Sequence, residues 1–156
     1  MRVNLIAVGT RMPPWVREGY EDYARRLGAR LPVTLLELAA GKRSAGGDDA
    51  RAIADEGKRL LASLKRDDYV VALDERGRER STAELAAWLK ERERDGRTLA
   101  FLVGGPDGFA PELRERAQET WSLSRLTLPH ALVRVVFIEQ LYRAVTLLDG
   151  HPYHRE

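Results

Sequence analysis

Cysteine is absent from this chain of 156 residues, which excludes disulfides, thiolate zinc sites and cysteine nucleophiles and leaves the protein compatible with a reducing compartment. Charge of one sign is not in excess either. Lys and Arg number 26 against 24 Asp and Glu, and a net charge of +2 is too small for a polycation, so any nucleic-acid footprint must come from local clustering. Long hydrophobic runs are missing: the apolar stretch Val3 to Val8 is too short for a secretory core or a membrane span, and Pro13-Pro14 follow it. The expectation is a cytoplasmic protein with no membrane partner. No Gly-rich segment ends in Gly-Lys-Ser or Gly-Lys-Thr, and Gly104-Gly105-Pro106-Asp107-Gly108 lacks the spacing of a dinucleotide fingerprint, which disfavours nucleotide phosphate binding. His151 and His154 stand close together, but without a carboxylate or cysteine pattern beside them no metal is expected.

What is present alternates between two periods. Val3 to Val8 reads as a buried strand, and Trp15, Tyr20, Tyr23 and Leu27 mark one face of a helix opened by Pro13-Pro14. Val33 to Leu38 is a second strand, followed by the basic loop Gly41 to Gly47 and by Ile53, Leu60, Leu61 and Leu64 at helical spacing. Tyr69 to Asp74 is a third strand, and Ser81-Thr82-Ala83-Glu84 is a capping-box pattern that starts a helix running through Arg94. Thr98 to Val103 makes a fourth strand, Pro111 opens a short helix, Leu123 to Leu128 is a fifth apolar run, and Ala131 to Leu148 is the longest helix. With no linker, repeat or low-complexity block, residues 1–156 form one domain of α/β class with a mainly parallel sheet flanked by helices on both faces.

In such sheets ligands collect outside the carboxyl ends of strands, so the loops after Leu73, Val103 and Leu128 are where chemistry is expected. Glycines directly after a strand either make a tight turn into the helix at Pro111 or let a ligand lie against bare backbone. Leu123 to Leu128, with Ser124 and Thr127 among apolar positions, is either a core strand or a backbone ribbon around a flat ring. On the last helix Arg134 follows His130 by about one turn, while Glu139, Tyr142 and Arg143 share a polar stripe set apart from Val133, Val136, Phe137, Leu141, Ala144 and Leu148. That stripe is either a solvated ion pair or part of a site. Pro152 stiffens the tail, and Tyr153 offers an aromatic face on which a base can stack.

Several segments together carry a resemblance: Ala7-Val8-Gly9-Thr10, Ala40-Gly41-Lys42-Arg43, Gly104-Gly105-Pro106, Ser122-Leu123-Ser124, Leu126-Thr127-Leu128-Pro129-His130, Leu132-Val133-Arg134-Val135, Tyr142-Arg143-Ala144 and the terminal His151-Pro152-Tyr153-His154-Arg155-Glu156. Over its whole length the chain resembles the ribosomal RNA large subunit methyltransferase H family, of the SPOUT class. The resemblance implies an α/β fold with a C-terminal trefoil knot, a topology that periodicity cannot reveal and chains as a rule avoid. It further implies a homodimer that uses S-adenosyl-L-methionine to methylate N3 of a pseudouridine in a 23S rRNA stem-loop at the subunit interface, with assembled 70S ribosomes as substrate. Carried over by position, Leu73, Gly104, Leu123, Ser124, Arg125, Leu126, Thr127 and Leu128 surround the cofactor, mostly through backbone groups, with Arg125 contributing its backbone alone. The loop Gly46-Gly47-Asp48-Asp49 and the charged Glu75-Arg76-Gly77-Arg78 depart mildly from the family pattern.

N3 of the base is a weakly acidic imide that attacks a sulfonium methyl once its proton is removed or its anion is stabilised. His154, from this chain or a partner's tail, is the first candidate base and Glu139 the second. Arg134 and Arg143 are expected to hold phosphates or developing negative charge, Tyr142 and Tyr153 to position the base, and His130 to line the cofactor pocket. Lys42 and Arg43, with Arg25, Arg26 and Arg30, either touch rRNA or serve as solubilising charge. The competing readings are a nucleotide-dependent oxidoreductase, which lacks its fingerprint, and a non-catalytic ribosome-associated RNA-binding factor.

Overall fold

The computed structural model describes residues 1–43 and 49–154, the last of these by its backbone alone. Its elements follow in the order β1 (Val3–Val8), α1 (Pro14–Leu27), β2 (Val33–Leu38), α2 (Ala50–Ser63), β3 (Tyr69–Glu79), α3 (Thr82–Asp95), β4 (Leu99–Val103), α4 (Pro111–Arg116), β5 (Glu119–Ser122) and α5 (His130–Asp149), closing on a 3₁₀ turn at Pro152–His154. The strands form one sheet in the order β2-β1-β4-β3-β5, and every pairing is parallel. The α/β expectation holds. The basic loop expected from Gly41 to Gly47 and the departure at Gly46 to Asp49 fall largely on residues 44–48, outside the described residues, as do the His154 side chain, Arg155 and Glu156.

Why the central strands read as unbroken apolar runs is visible in the packing. Alternate residues of β1, β3 and β4, among them Leu5, Val71 and Phe101, face a core shared with α1, α3 and α5. Their neighbours Ile6, Val70, Ala100 and Leu102 face a second core with Leu60 of α2, Leu113 of α4 and Phe109. A strand covered on both sides has no polar face to alternate with. The capping box is formed as its pattern requires: Ser81 Oγ accepts from the Glu84 amide at 3.1 Å, and Glu84 Oε2 accepts from the Ser81 amide at 2.8 Å.

Two strands differ from expectation, and the first of them, β3, runs on to Glu79 rather than ending at Asp74. The fifth strand is not Leu123 to Leu128 but Glu119–Ser122, and the apolar run after it is loop, with Leu126 75% exposed. Glu119 explains how so short and polar a strand holds the sheet edge. Its carboxylate accepts hydrogen bonds from Tyr69 Oη at 2.6 Å, Trp88 Nε1 at 2.7 Å, Arg80 at 2.6 Å and Trp121 Nε1 at 3.0 Å. Burial pushes this carboxyl up, and the hydrogen bonds from Tyr69, Trp121, Trp88 and Arg80 together outweigh it and bring it down to about 2. Trp88 and Trp121 meet edge to face at 4.5 Å between centroids, so the polar clamp sits inside an aromatic one.

Beside it β3 bulges, Trp121 pairing with both Leu73 and Arg78. Gly77 sits in that bulge, and a Cβ there would lie 2.5 Å from the Thr120 carbonyl carbon. Gly77→Ala is expected to cost about 1–3 kcal/mol, as overpacking does. Urea denaturation checks it, and a midpoint equal to that of the parent would mean that the β3–β5 seam yields freely.

Candidate cofactor cavity and tyrosine cluster

Three segments meet where β4 and β5 end and β3 bulges: residues 73–76, 103–109 and 122–130. They enclose a cavity of about 700 Å³, within the size range of small-molecule sites. Leu73, Gly104, Leu123, Ser124, Leu126, Thr127, Leu128 and His130 all border it, whereas Arg125, expected to contribute its backbone, does not. The expected segments do converge, but the first is the bulged middle of β3 rather than a loop after Leu73, and the third loop starts after Ser122 rather than after Leu128.

Each wall has a local cause. Gly105 and Gly108 pair as an isolated bridge, the Gly108 amide donating to the Gly105 carbonyl at 3.2 Å, and the φ of +86° at Gly108 is one that glycine adopts without strain. The 123–128 loop is tied by side chains in place of a ladder. Ser122 Oγ donates to the Ser124 carbonyl at 2.8 Å, Ser124 Oγ accepts from the Leu126 amide at 2.9 Å, and Thr127 Oγ1 donates to Glu75 at 3.2 Å across the mouth. Leu73, Val103, Phe109, Leu123, Leu128 and Val133 line the cavity with apolar surface, and Asp74, Glu75 and Arg76 border its charged side.

Beneath the 104–108 turn lies Glu56 of α2, only 2% exposed. It accepts from the Gly41 amide at 2.9 Å and from the Arg43 guanidinium at 2.9 and 3.2 Å, while Arg43 Nε donates to Asp107 at 2.8 Å. Hydrogen bonds to Glu56 and then to Asp107 hold Arg43 protonated, above the usual arginine range. Arg43, expected either to touch rRNA or to serve as solubilising charge, is thus engaged within the protein. Arg26 and Arg30 also have internal partners: Asp22 at 3.2 Å for the first, and Asp149 at 3.0 Å with Glu93 for the second.

His130 opens α5 at the cavity wall. Burial first, then the charge of Arg134, keeps its imidazole below the usual range, with Glu56 opposing and Arg43 adding. Its ring is therefore neutral near pH 7. Arg134, expected to hold phosphates or developing negative charge, is 1% exposed and bonded to Glu37 of β2 at 2.5 Å and to the Gly9 carbonyl at 2.7 Å. It pins the helix start to the ends of β1 and β2 and has no face open to a phosphate. Tyr20, nearby, has its hydroxyl buried and unpartnered among the described residues, and burial, against the charge of Arg134, pushes it up to about 12.

Glu139, Tyr142, Arg143 and Tyr153 come together elsewhere. Arg143 pairs with Glu139 at 2.8 Å, the Tyr153 hydroxyl donates to Glu139 at 3.1 Å, and it meets the Tyr23 hydroxyl at 3.2 Å. Tyr142 and Tyr153 pack edge to face at 4.6 Å, and Arg143 lies 5.0 Å over the Tyr153 ring. Burial foremost, with the bond to Tyr23 and the charge of Glu139, raises the Tyr153 hydroxyl above its usual range. None of the four borders the cavity. Twelve residues of helix separate His130 from Tyr142, roughly 18 Å at the α-helical rise. Within one chain the proposed cofactor wall and the proposed base-handling cluster are thus apart.

Glu56 and Glu119 escaped the sequence reading. Glu56 carries one signal, a carboxylate on the apolar face of a helix, and Glu119 carries none.

Among the described residues no helix is long and apolar enough to cross a membrane. Compared with known proteins, residues 1–154 match the family model described as "Predicted SPOUT methyltransferase". The chain is 55% identical over 155 residues to the ribosomal RNA large subunit methyltransferase H of Methylococcus capsulatus, covering 99% of this chain and 100% of that protein. It is 54% identical to the protein of that name from Alkalilimnicola ehrlichii, covering 99% of each. It is likewise 54% identical over 156 residues to that of Thioalkalivibrio sulfidiphilus, covering 100% of both.

Proposed function

We propose, from the premise that this chain belongs to the ribosomal RNA large subunit methyltransferase H family of SPOUT methyltransferases, that it methylates large-subunit ribosomal RNA in the cytoplasm. Its target is N3 of a pseudouridine in a 23S rRNA stem-loop, reached in the assembled 70S ribosome. The observation that carries the reading is the cavity: eight of the residues assigned to the cofactor from sequence border one space of about 700 Å³ at the carboxyl ends of β4 and β5 and the bulge of β3.

S-adenosylmethionine supplies an electrophilic methyl group when bound. The cavity residues fit such a molecule, with bare glycine backbone at Gly104 and Gly105, apolar walls at Leu73, Leu123 and Leu128 for a flat ring, and Ser124 and Thr127 as polar groups. His130, neutral and at the wall, can accept a hydrogen bond without adding charge. The remaining task is to take the N3 proton and steady the anion, which His154 as base and Arg143 as cation perform, while Tyr142 and Tyr153 stack on the base. Glu139, already bonded to Arg143 and Tyr153, orients both rather than taking the proton. Arg134 sets the helix that carries them.

We place this chemistry in a homodimer within which the tail of one subunit reaches the cavity of the other. The separation of cavity and tyrosine cluster along α5 supports that arrangement. The trefoil knot implied by the family belongs to the same proposal.

Calorimetry is expected to show uptake of S-adenosylmethionine and none of reduced nicotinamide cofactor. Tritiated methyl is expected to enter 70S particles at one nucleotide, mapped by mass spectrometry to N3 of pseudouridine. Cofactor uptake with no incorporation would leave a binding factor instead of an enzyme.

A further inference from the structure

Glu56 is a buried carboxylate to which the methyl-transfer chemistry gives no task. Its two oxygens take both terminal nitrogens of Arg43, and the third nitrogen of that guanidinium, Nε, reaches Asp107 at 2.8 Å. Asp107 belongs to the turn that walls the cavity. Gly105 rests on the same carboxylate, for a Cβ there would stand 2.9 Å from Glu56 Oε1. One guanidinium fork therefore joins the segment after β2, the α2 helix and the turn after β4.

We propose that Arg43, seated on Glu56, is a positioning residue that holds the Gly104–Gly108 turn through Asp107 in the shape the cofactor requires. The inference rests on the reading of the cavity as an S-adenosylmethionine site. A turn rich in glycine loses more conformational freedom on ordering than any other sequence, so a ligand that needs it ordered binds better when something else has already fixed it. Arg43 can do the fixing because its other end is immobile. Withdrawing the guanidinium from a carboxylate that is 2% exposed would leave a buried charge uncompensated. Only a planar fork can bind one carboxylate with two nitrogens and offer a third to another, which a lysine ammonium cannot reproduce.

The test uses the full chain and its dimer. Asp107→Asn removes the charge at the exposed end without touching the buried pair, and Arg43→Lys keeps the charge but not the fork. Each is expected to raise the S-adenosylmethionine Kd about tenfold by calorimetry, with the thermal midpoint of Asp107→Asn unchanged. Amide hydrogens of residues 104–108 are expected to exchange faster in both variants without cofactor. The double variant should be no weaker than Arg43→Lys alone, because the two groups act as one unit. Parental Kd and exchange in both variants, or losses that simply add, would overturn the proposal. No uptake by the parent protein would instead bring down the methyl-transfer reading, and exchange at 104–108 would then decide the positioning role alone.

Discussion

Replacing His154 by alanine is expected to slow methyl transfer to 70S ribosomes by a factor of about 10²–10⁴, the share that a positioned base contributes. S-adenosylmethionine affinity should stay at the parental value, since the cavity is built from other segments. Single-turnover rates with tritiated cofactor separate the two quantities. An imidazole base also imposes a fall in rate on the acid side of the profile, and the variant should lose it. Methyl transfer at the parental rate would remove His154 as the base. Complementation examines the proposed reach across the dimer. A mixture of His154→Ala with Ser124→Trp, which fills the cavity, regains activity only if the tail of one subunit serves the cavity of the other, because each mixed dimer then keeps one intact pair. Absence of recovery would place tail and cavity in the same chain.

The second large effect concerns stability. Glu119→Ala is expected to cost about 3 kcal/mol, near the lower end for breaking a buried charge network because 22% of the carboxylate side chain still meets solvent. It strands Arg80, two indole N–H groups and the Tyr69 hydroxyl, and frees β5 from β3 and α3. At this chain length the thermal midpoint should drop by roughly 6–12 °C. The pH dependence has a definite sign. With the folded carboxyl held at about 2 and the unfolded one near the ordinary value of about 4.3, its contribution is fully present above that ordinary value. It is lost as pH falls toward 2. The gap in unfolding free energy between parent and Glu119→Gln should therefore be constant from neutral pH down to about 5 and narrow below about 4. A gap independent of pH would show that the hydrogen bonds, and not the ionised carboxylate, carry the effect.

How far the sequence foretold this molecule depended on whether a feature is local. β1 begins and ends where its apolar run does, and α3 starts at its serine cap, because burial on both faces and capping leave marks within a few residues. The 119–122 strand left none. Glu119-Thr120-Trp121-Ser122 is too short and polar to stand out, while the run Leu123 to Leu128 has strand composition and no strand partner. That segments meet at the strand ends follows from the β/α alternation, but most of the individual cavity residues follow only from the family resemblance, since nothing in their spacing says which of them border one space. The burial of Arg134 has a related, non-local cause. On a helical wheel it reads as polar surface, and only the distant Glu37, Val8 and Gly9 make its burial tolerable. Glu56, likewise, is explained by groups at positions 41, 43 and 105, remote from it in the chain.

The strand order carries a lesson for biosynthesis. β1 is joined to β2 on one side and to β4 on the other, so its second edge stays open until residues 99–103 have been made. A ribosome that has delivered only the first three strands presents one unpaired edge of Val3–Val8, rich in β-branched and aliphatic residues, the kind of edge that recruits other chains. Pauses in translation before β4 should therefore promote aggregation of the growing polypeptide more than pauses after it, when only the β3 edge still awaits β5.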